Sequence, residues 1–191
     1  KLEFLNFKDV VEIGCGDGYL ISEVSELFKN SNCIGYDLSK RSIDLAKIFG
    51  DKDVKFFNDD LNKINDNSYD LVLCSQVLEH IPDDEIDGFV DNLCRIVKPK
   101  KYLAIVVPGI GKKLIKKHYR HYTTKSLSSY FDEEKFNIIT LDTIFHVDIL
   151  YRIFIKLFSN KFFKIDVPSL NNFFINRMKK KNNLAKENYY N

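Results

Sequence analysis

The stretch Val10-Val11-Glu12-Ile13-Gly14-Cys15-Gly16-Asp17-Gly18 decides how the rest of the chain is read. Its first four residues are apolar except for Glu12 and run into a turn with glycine at every second position. A short apolar run that stops at glycine has the pattern of a buried strand. Tyr19 to Phe28 then carries Leu20, Val24, Leu27 and Phe28 at helical spacing. Strand, glycine-rich turn and helix form the opening unit of an open α/β sheet. The glycines permit unusual backbone angles and let a ligand approach the main chain. They stand at the carboxyl end of the first strand, where such sheets bind ligands.

Outward from this unit the alternation continues. Cys33–Tyr36, Val54–Phe57, Tyr69–Cys74 and Tyr102–Val107 read as further strands. Ser39 is placed to cap a helix that runs to Phe49 and stops at Gly50. Pro82 and two aspartates are expected to open a helix that ends before Pro99. Asn58 to Ser68 is polar and loop-like. Gly111 to Tyr122 is basic and aromatic and is read as a mobile loop; Thr123 caps a short helix to Phe131, and Phe136–Phe145 reads as a strand. Strands alternating with helices predict a parallel α/β sheet.

The composition is that of an ordinary globular chain: 191 residues, 45% apolar, 29% charged, net charge +2. That charge is too small for a general nucleic-acid binder, and no apolar run reaches the roughly 18 residues that span a membrane. There is no charged-then-apolar leader; because the chain opens on Lys1, a segment before it is expected to be missing. Cys15, Cys33, Cys74 and Cys94 form no CxxC pair, so neither a zinc site nor a disulfide framework is expected. Reduced, mostly buried thiols in a cytoplasmic protein are the plain reading.

Two ligand classes compete for the glycine turn. A dinucleotide fingerprint needs G-x-G-x-x-G, with a pyrophosphate at the helix N-terminus. Here the third glycine is at 18 and position 19 is tyrosine. Glu12 adds negative charge, which suits a cationic amino group such as that of S-adenosylmethionine (SAM) better than a pyrophosphate. Asp37 ends the second strand, where a carboxylate can accept hydrogen bonds from both ribose hydroxyls; alone it does not separate NAD from SAM. Asp59-Asp60-Leu61 follows the third strand, and an acid there can accept from an adenine amino group.

Taken in order, these residues resemble the class I SAM-dependent methyltransferases, especially their small-molecule branch. The matching pieces are Glu12-Ile-Gly-Cys-Gly-Asp-Gly18, Asp37, Asp60-Leu61, Ser68-Tyr-Asp-Leu-Val-Leu-Cys-Ser-Gln-Val-Leu-Glu-His80, Val97-Lys-Pro99, Val106-Val-Pro108 and His121-Tyr-Thr-Thr. The resemblance covers roughly residues 8 to 145. It implies a Rossmann-like, doubly wound, mostly parallel sheet of seven-stranded type with helices on both faces. It also implies SAM as cofactor and S-adenosylhomocysteine (SAH) as product. The expected cofactor residues are Glu12, Gly14, Cys15, Gly16, Gly18, Asp37, Leu38, Asp60, Leu61, Ser75 and Gln76, with Asp60 preferred over Asp59. Two departures stand out. Lys100-Lys101 replaces a frequent Gly-Gly turn, and the helix that usually precedes the first strand is nearly absent.

Methyl transfer to a hydroxyl needs a general base. The candidates are His80 and His121, with His118 beside the latter. Leu78 and Ile81 flank His80, a setting in which histidine is often structural. The i, i+3 pair His118/His121 has no adjoining carboxylate or cysteine motif, so no metal is expected. The expected partner is a small-molecule acceptor methylated at oxygen. The classes considered for it are a glycan, a lipid-linked molecule or another anionic metabolite. Nucleic acid is disfavoured because Cys74-Ser-Gln-Val replaces the Asn-Pro-Pro-aromatic motif of adenine methylases and there is no Pro-Cys nucleophile. The other rivals are a non-catalytic SAM-binding or partner-binding module and a nicotinamide oxidoreductase. The expected domain is 1–145, with an extension at 146–191. In that extension Asp148 to Phe158 is nearly all apolar, so core packing is the default and a homodimer or peripheral-membrane contact through 148–181 competes with it.

Overall fold

The computed structural model describes residues 6–109, 116–132 and 136–139. The chain divides into two compact units, Lys1–Asn137 and Ile138–Asn191, and all elements described below belong to the first. Its strands are β1 (Asp9–Ile13), β2 (Asn32–Tyr36), β3 (Lys55–Phe57), β4 (Tyr69–Ser75) and β5 (Val97–Val106). Its helices are α1 (Tyr19–Leu27), α2 (Lys40–Phe49), α3 (Ile86–Ile96) and α4 (Thr124–Ser128).

The strands form one sheet in the order β3-β2-β1-β4-β5, and every pair is parallel. Side chains alternate between its faces. Val11, Ile13, Val72 and Cys74 pack with Ile86, Val90, Leu93 and Ile96 of α3. Val10, Cys33, Leu71 and Leu73 pack with Ile21 of α1 and with Ile43 and Ala46 of α2. Helices therefore cover both faces, as a doubly wound sheet requires. The chain runs outward from β1 to β3 and then returns to place β4 on the other side of β1. Strand order reverses between β1 and β4, which puts the ligand crevice at their carboxyl ends.

Several local expectations change. Five strands of the expected parallel sheet lie among the described residues; residues 136–139 have no strand, and 140–145 and the 148–181 stretch lie outside the described residues. The polar loop after β3 contains a 3₁₀ turn at Leu61–Lys63, capped by Asp60, whose carboxylate accepts from the Asn62 amide at 2.8 Å. Helix α3 starts at Ile86 rather than at Pro82; before it the Glu85 amide donates to the Pro82 carbonyl at 3.2 Å, closing a turn, and Asp83 in that turn pairs with Arg120. Strand β5 begins at Val97, and its register with β4 jumps between Tyr69 and Leu71. The extra residues are accommodated with Lys100 at φ +62°, a left-handed conformation that favours glycine. Gly50 does end α2, but with extended angles. Space is the reason for glycine there: a Cβ would lie 2.6 Å from both the Ala46 carbonyl and the Phe56 ring.

Candidate functional site

The glycine turn after β1 is held from two sides. The amides of Gly14 and Cys15 donate to the Tyr36 carbonyl at 2.8 and 3.0 Å, which ties the turn to the end of β2. Gly14, Gly16 and Gly18 all have positive φ, at 75°, 56° and 82°. A Cβ on Gly14 would lie 2.3 Å from Val77 Cγ2, and one on Gly18 would lie 2.7 Å from the Phe56 ring. A Cβ on Gly16 would meet nothing within 4 Å. The outer glycines are thus packed against the protein, while the middle one faces open space.

Two of the three predicted acids flank this turn. Asp37 Oδ2 accepts from the Gly16 amide at 2.9 Å, and its Oδ1 accepts from Ser39 at 2.8 Å. Each carboxylate oxygen has a further lone pair, so Asp37 keeps capacity for a diol. Asn58 Nδ2 donates to the carbonyls of Asp37 and Leu38 at 2.9 and 2.8 Å, which fixes the segment after β2. Glu12 is 3% exposed, and its Oε2 accepts from the Ile21 amide at 3.0 Å. Burial, with Asp17 and Asp37 adding negative charge, pushes its carboxyl up to about 7 against the opposing Ile21 bond. A buried acid that titrates near neutrality is equipped to take a cation.

The remaining predicted cofactor residues divide by what they expose. Leu38 stands out at the rim, 75% exposed, and Tyr19 is also exposed. Cys15 and Leu61 are buried in the two cores, so neither side chain is available and only their backbones can serve a ligand. Burial also pushes the Cys15 thiol up to about 12, which leaves it inert. Ser75 ends β4. Gln76 follows with φ +57°, and its amide donates to the Val106 carbonyl at 2.8 Å. This tight turn carries Val77 back against Gly14, so the segments after β1 and β4 meet at the switch point. Two grooves among the described residues, near 450 and 530 Å³, lie elsewhere, one beside Phe7, Asp70 and Lys98 at the amino ends of the strands, the other beside Gly50 and Phe57.

The three histidines also come together. His80 Nδ1 lies 2.9 Å from the Lys117 carbonyl, and His118 Nδ1 lies 2.9 Å from His121 Nε2. The rings of His80 and His118 meet edge to face at 4.8 Å. Burial and the neighbouring His80 hold His118 below the usual imidazole range. Residues 116–122, expected as part of a mobile loop, are stitched to the segment after β4. The Tyr119 amide donates to the Glu79 carbonyl at 2.8 Å. Arg120 Nη1 donates to the Ile81 carbonyl at 2.8 Å, and the Tyr122 hydroxyl donates to that of Leu78 at 3.1 Å. The residue that sequence reasoning missed is Glu79. It is 1% exposed, and its Oε2 has no hydrogen-bond partner. Its place beside His80 was visible in the sequence, but its proximity to His118 arises only when the later turn folds back.

Known proteins share the fold that carries this geometry. Residues 10–100 match the family model described as a methyltransferase domain. A ubiquinone biosynthesis O-methyltransferase from Rickettsia bellii is 26% identical over 96 residues, covering 48% of this chain and 38% of that protein. The match thus spans well under two thirds of the relative's length. Among solved structures, a SAM-dependent methyltransferase from Archaeoglobus fulgidus superposes with a TM-score of 0.63 at 17% identity, covering 91% of this chain and 78% of the other. A complex of DhpI with SAH superposes with a TM-score of 0.53 at 22% identity, covering 64% of each chain. At these identities the superpositions establish a shared fold.

Proposed function

We propose, from the premise that the chain belongs to the class I SAM-dependent methyltransferase family, that it transfers a methyl group from SAM to an oxygen atom of a small-molecule acceptor. The observation that carries this reading is the bond from Asp37 to the Gly16 amide. It sets a carboxylate with spare acceptor capacity beside the one glycine of the turn whose outer side is open. A cradle that even a Cβ leaves clear of protein atoms fits a nucleoside and its amino-acid arm. In this arrangement Asp37 accepts from the ribose hydroxyls, Glu12 meets the ammonium group, and Asp60 accepts from the adenine amine. The backbones at Gly14, Cys15, Gly16, Gly18, Ser75 and Gln76 line the trough, with Leu38 against the base and Leu61 contributing only backbone.

When bound, SAM supplies a methyl group already activated on a cationic sulfur. The chain's own task is to align the acceptor in line with that methyl, a proximity effect. The other task is removal of the hydroxyl proton, for which His80 and His121 are the bases. Lys116 and Lys117 directly precede His118 and are exposed, which favours an acceptor with negative charge. The cysteines form no disulfide, and Cys15, Cys33 and Cys74 are buried, which fits a reducing, cytoplasmic setting.

Transfer of a labelled methyl from SAM to a panel of phenolic, glycan and carboxylate acceptors tests the proposal. An acceptor whose methylation His121→Ala slows, with SAM affinity nearly unchanged, supports it. Unchanged turnover in that variant removes the base role from His121. SAM binding without transfer to any class would favour a non-catalytic binding module.

A further inference from the structure

We propose that Glu79, His80 and His118 form a binding site for one first-row divalent transition-metal ion of the zinc class. This goes beyond methyl transfer and stands on its own geometry. One ligand atom from each residue lies within 4.8 Å of the others. A tetrahedral ion with bonds of about 2.0–2.1 Å holds its ligands roughly 3.3 Å apart, so a modest inward turn of the two imidazoles completes the site. Both rings reach the surface and can make it, whereas the carboxylate is already fixed in the interior.

The second observation is the state of Glu79. Its Oε2 is buried and unpartnered, although two imidazoles stand close by. A buried carboxylate oxygen with nothing to accept from calls for an explanation, and a cation in front of it supplies one.

The hydrogen bonds around the cluster orient it for a metal. The Lys117 carbonyl can only accept, so His80 Nδ1 must carry the proton, and Nε2 keeps its lone pair. If His118 Nδ1 donates to His121 Nε2, His118 Nε2 is likewise left to bind. Metal-ligating histidines are commonly held in this way by a second partner on the other ring nitrogen. The bond from the Tyr119 amide to the Glu79 carbonyl fixes the turn bearing His118 against the segment bearing Glu79 and His80. Two imidazoles and one carboxylate select zinc, cobalt, iron or nickel over magnesium and calcium, which prefer oxygen. With an ion bound, His80 is a ligand and is withdrawn as a base; His121, whose Nε2 accepts from His118 in this arrangement, must open that bond before it can take a proton.

The test is titration of the chelator-stripped full chain with Co²⁺, read by its visible ligand-field absorption, followed by displacement with Zn²⁺ and with excess Mg²⁺. We expect one saturable Co²⁺ site, displaced by Zn²⁺ and not by Mg²⁺. Glu79→Gln and His118→Ala should each weaken it by at least about tenfold. His118→Ala alters a surface turn and keeps the test open if Glu79→Gln fails to fold. No saturable Co²⁺ or Zn²⁺ binding by folded protein, or Co²⁺ binding that His118→Ala leaves unchanged, would overturn the proposal. Neither readout depends on SAM, so the methyltransferase reading stands or falls separately.

Discussion

Glu12 joins the stability of the turn to its proposed ligand. Burial raises its pKa from the ordinary 4.5 to about 7. Below pH 4.5 the carboxyl is protonated whether the chain is folded or not. Between 4.5 and 7 the unfolded chain loses that proton and the folded chain keeps it, so this group lowers stability as pH rises. The total loss is about 3 kcal/mol, reached above pH 7. An ammonium group opposite Glu12 stabilises the carboxylate and recovers part of that loss. SAM binding should then expel a proton, and affinity should rise roughly tenfold from pH 5.5 to 7. Glu12→Gln should flatten the profile. A flat profile for the unmutated chain, measured calorimetrically in two buffers, would reduce Glu12 to an acceptor for Ile21. The acids at 12 and 37 were legible in the sequence because strand ends with glycine turns have few places to put a charge. Glu79 was not, since its companion His118 lies on a distant turn. Leu61 was expected at the cofactor, and its side chain belongs to the core.

At the scale of the element, the three glycines of the turn do different work despite their regular spacing. Gly14 is required by both backbone and space, since its φ is +75° and Val77 occupies the place of a Cβ. Gly14→Ala should cost about 2–5 kcal/mol, combining left-handed strain with overpacking. Gly16→Ala carries only the left-handed cost of about 1–2 kcal/mol, yet it puts a methyl where the cofactor is proposed to lie. Denaturant unfolding and SAM titration of both variants should therefore rank them in opposite order of damage for Gly16, mild in stability and severe in binding. Normal SAM affinity in a folded Gly16→Ala variant would place the ligand elsewhere. Element boundaries were less legible than elements. The N-cap at Ser39 held because it is a local bond to Ser42. The start of α3 lies at Ile86, after a turn in which Asp83 has a tertiary partner, Arg120. The irregular register of β5 likewise comes from its pairing with β4, which no local pattern records.

For the molecule as a whole, parallel pairing explains why the sheet could be read at all. Strands buried on both faces appear as uninterrupted apolar runs, and Leu71–Cys74 is such a run, buried throughout. The doubly wound parallel sheet was an expectation from resemblance, and the order β3-β2-β1-β4-β5 shows its physical consequence. Reversal between β1 and β4 brings the glycine turn and the segment Ser75–His80 to one edge. The proposed cofactor trough and the histidine cluster are joined there through the contact of Val77 with Gly14. No helix among the described residues is long and apolar enough to cross a membrane.

The central claim is that this edge holds SAM. Calorimetric titration of the chain with SAM, SAH and NAD, repeated on Asp37→Ala with its fold verified, tests it most directly. The account predicts micromolar binding of SAM or SAH, none of NAD, and a loss of about tenfold or more in the variant, in line with hydrogen bonds to a charged acceptor. Tighter binding of NAD, or no binding of SAM and SAH by the folded chain, would contradict it.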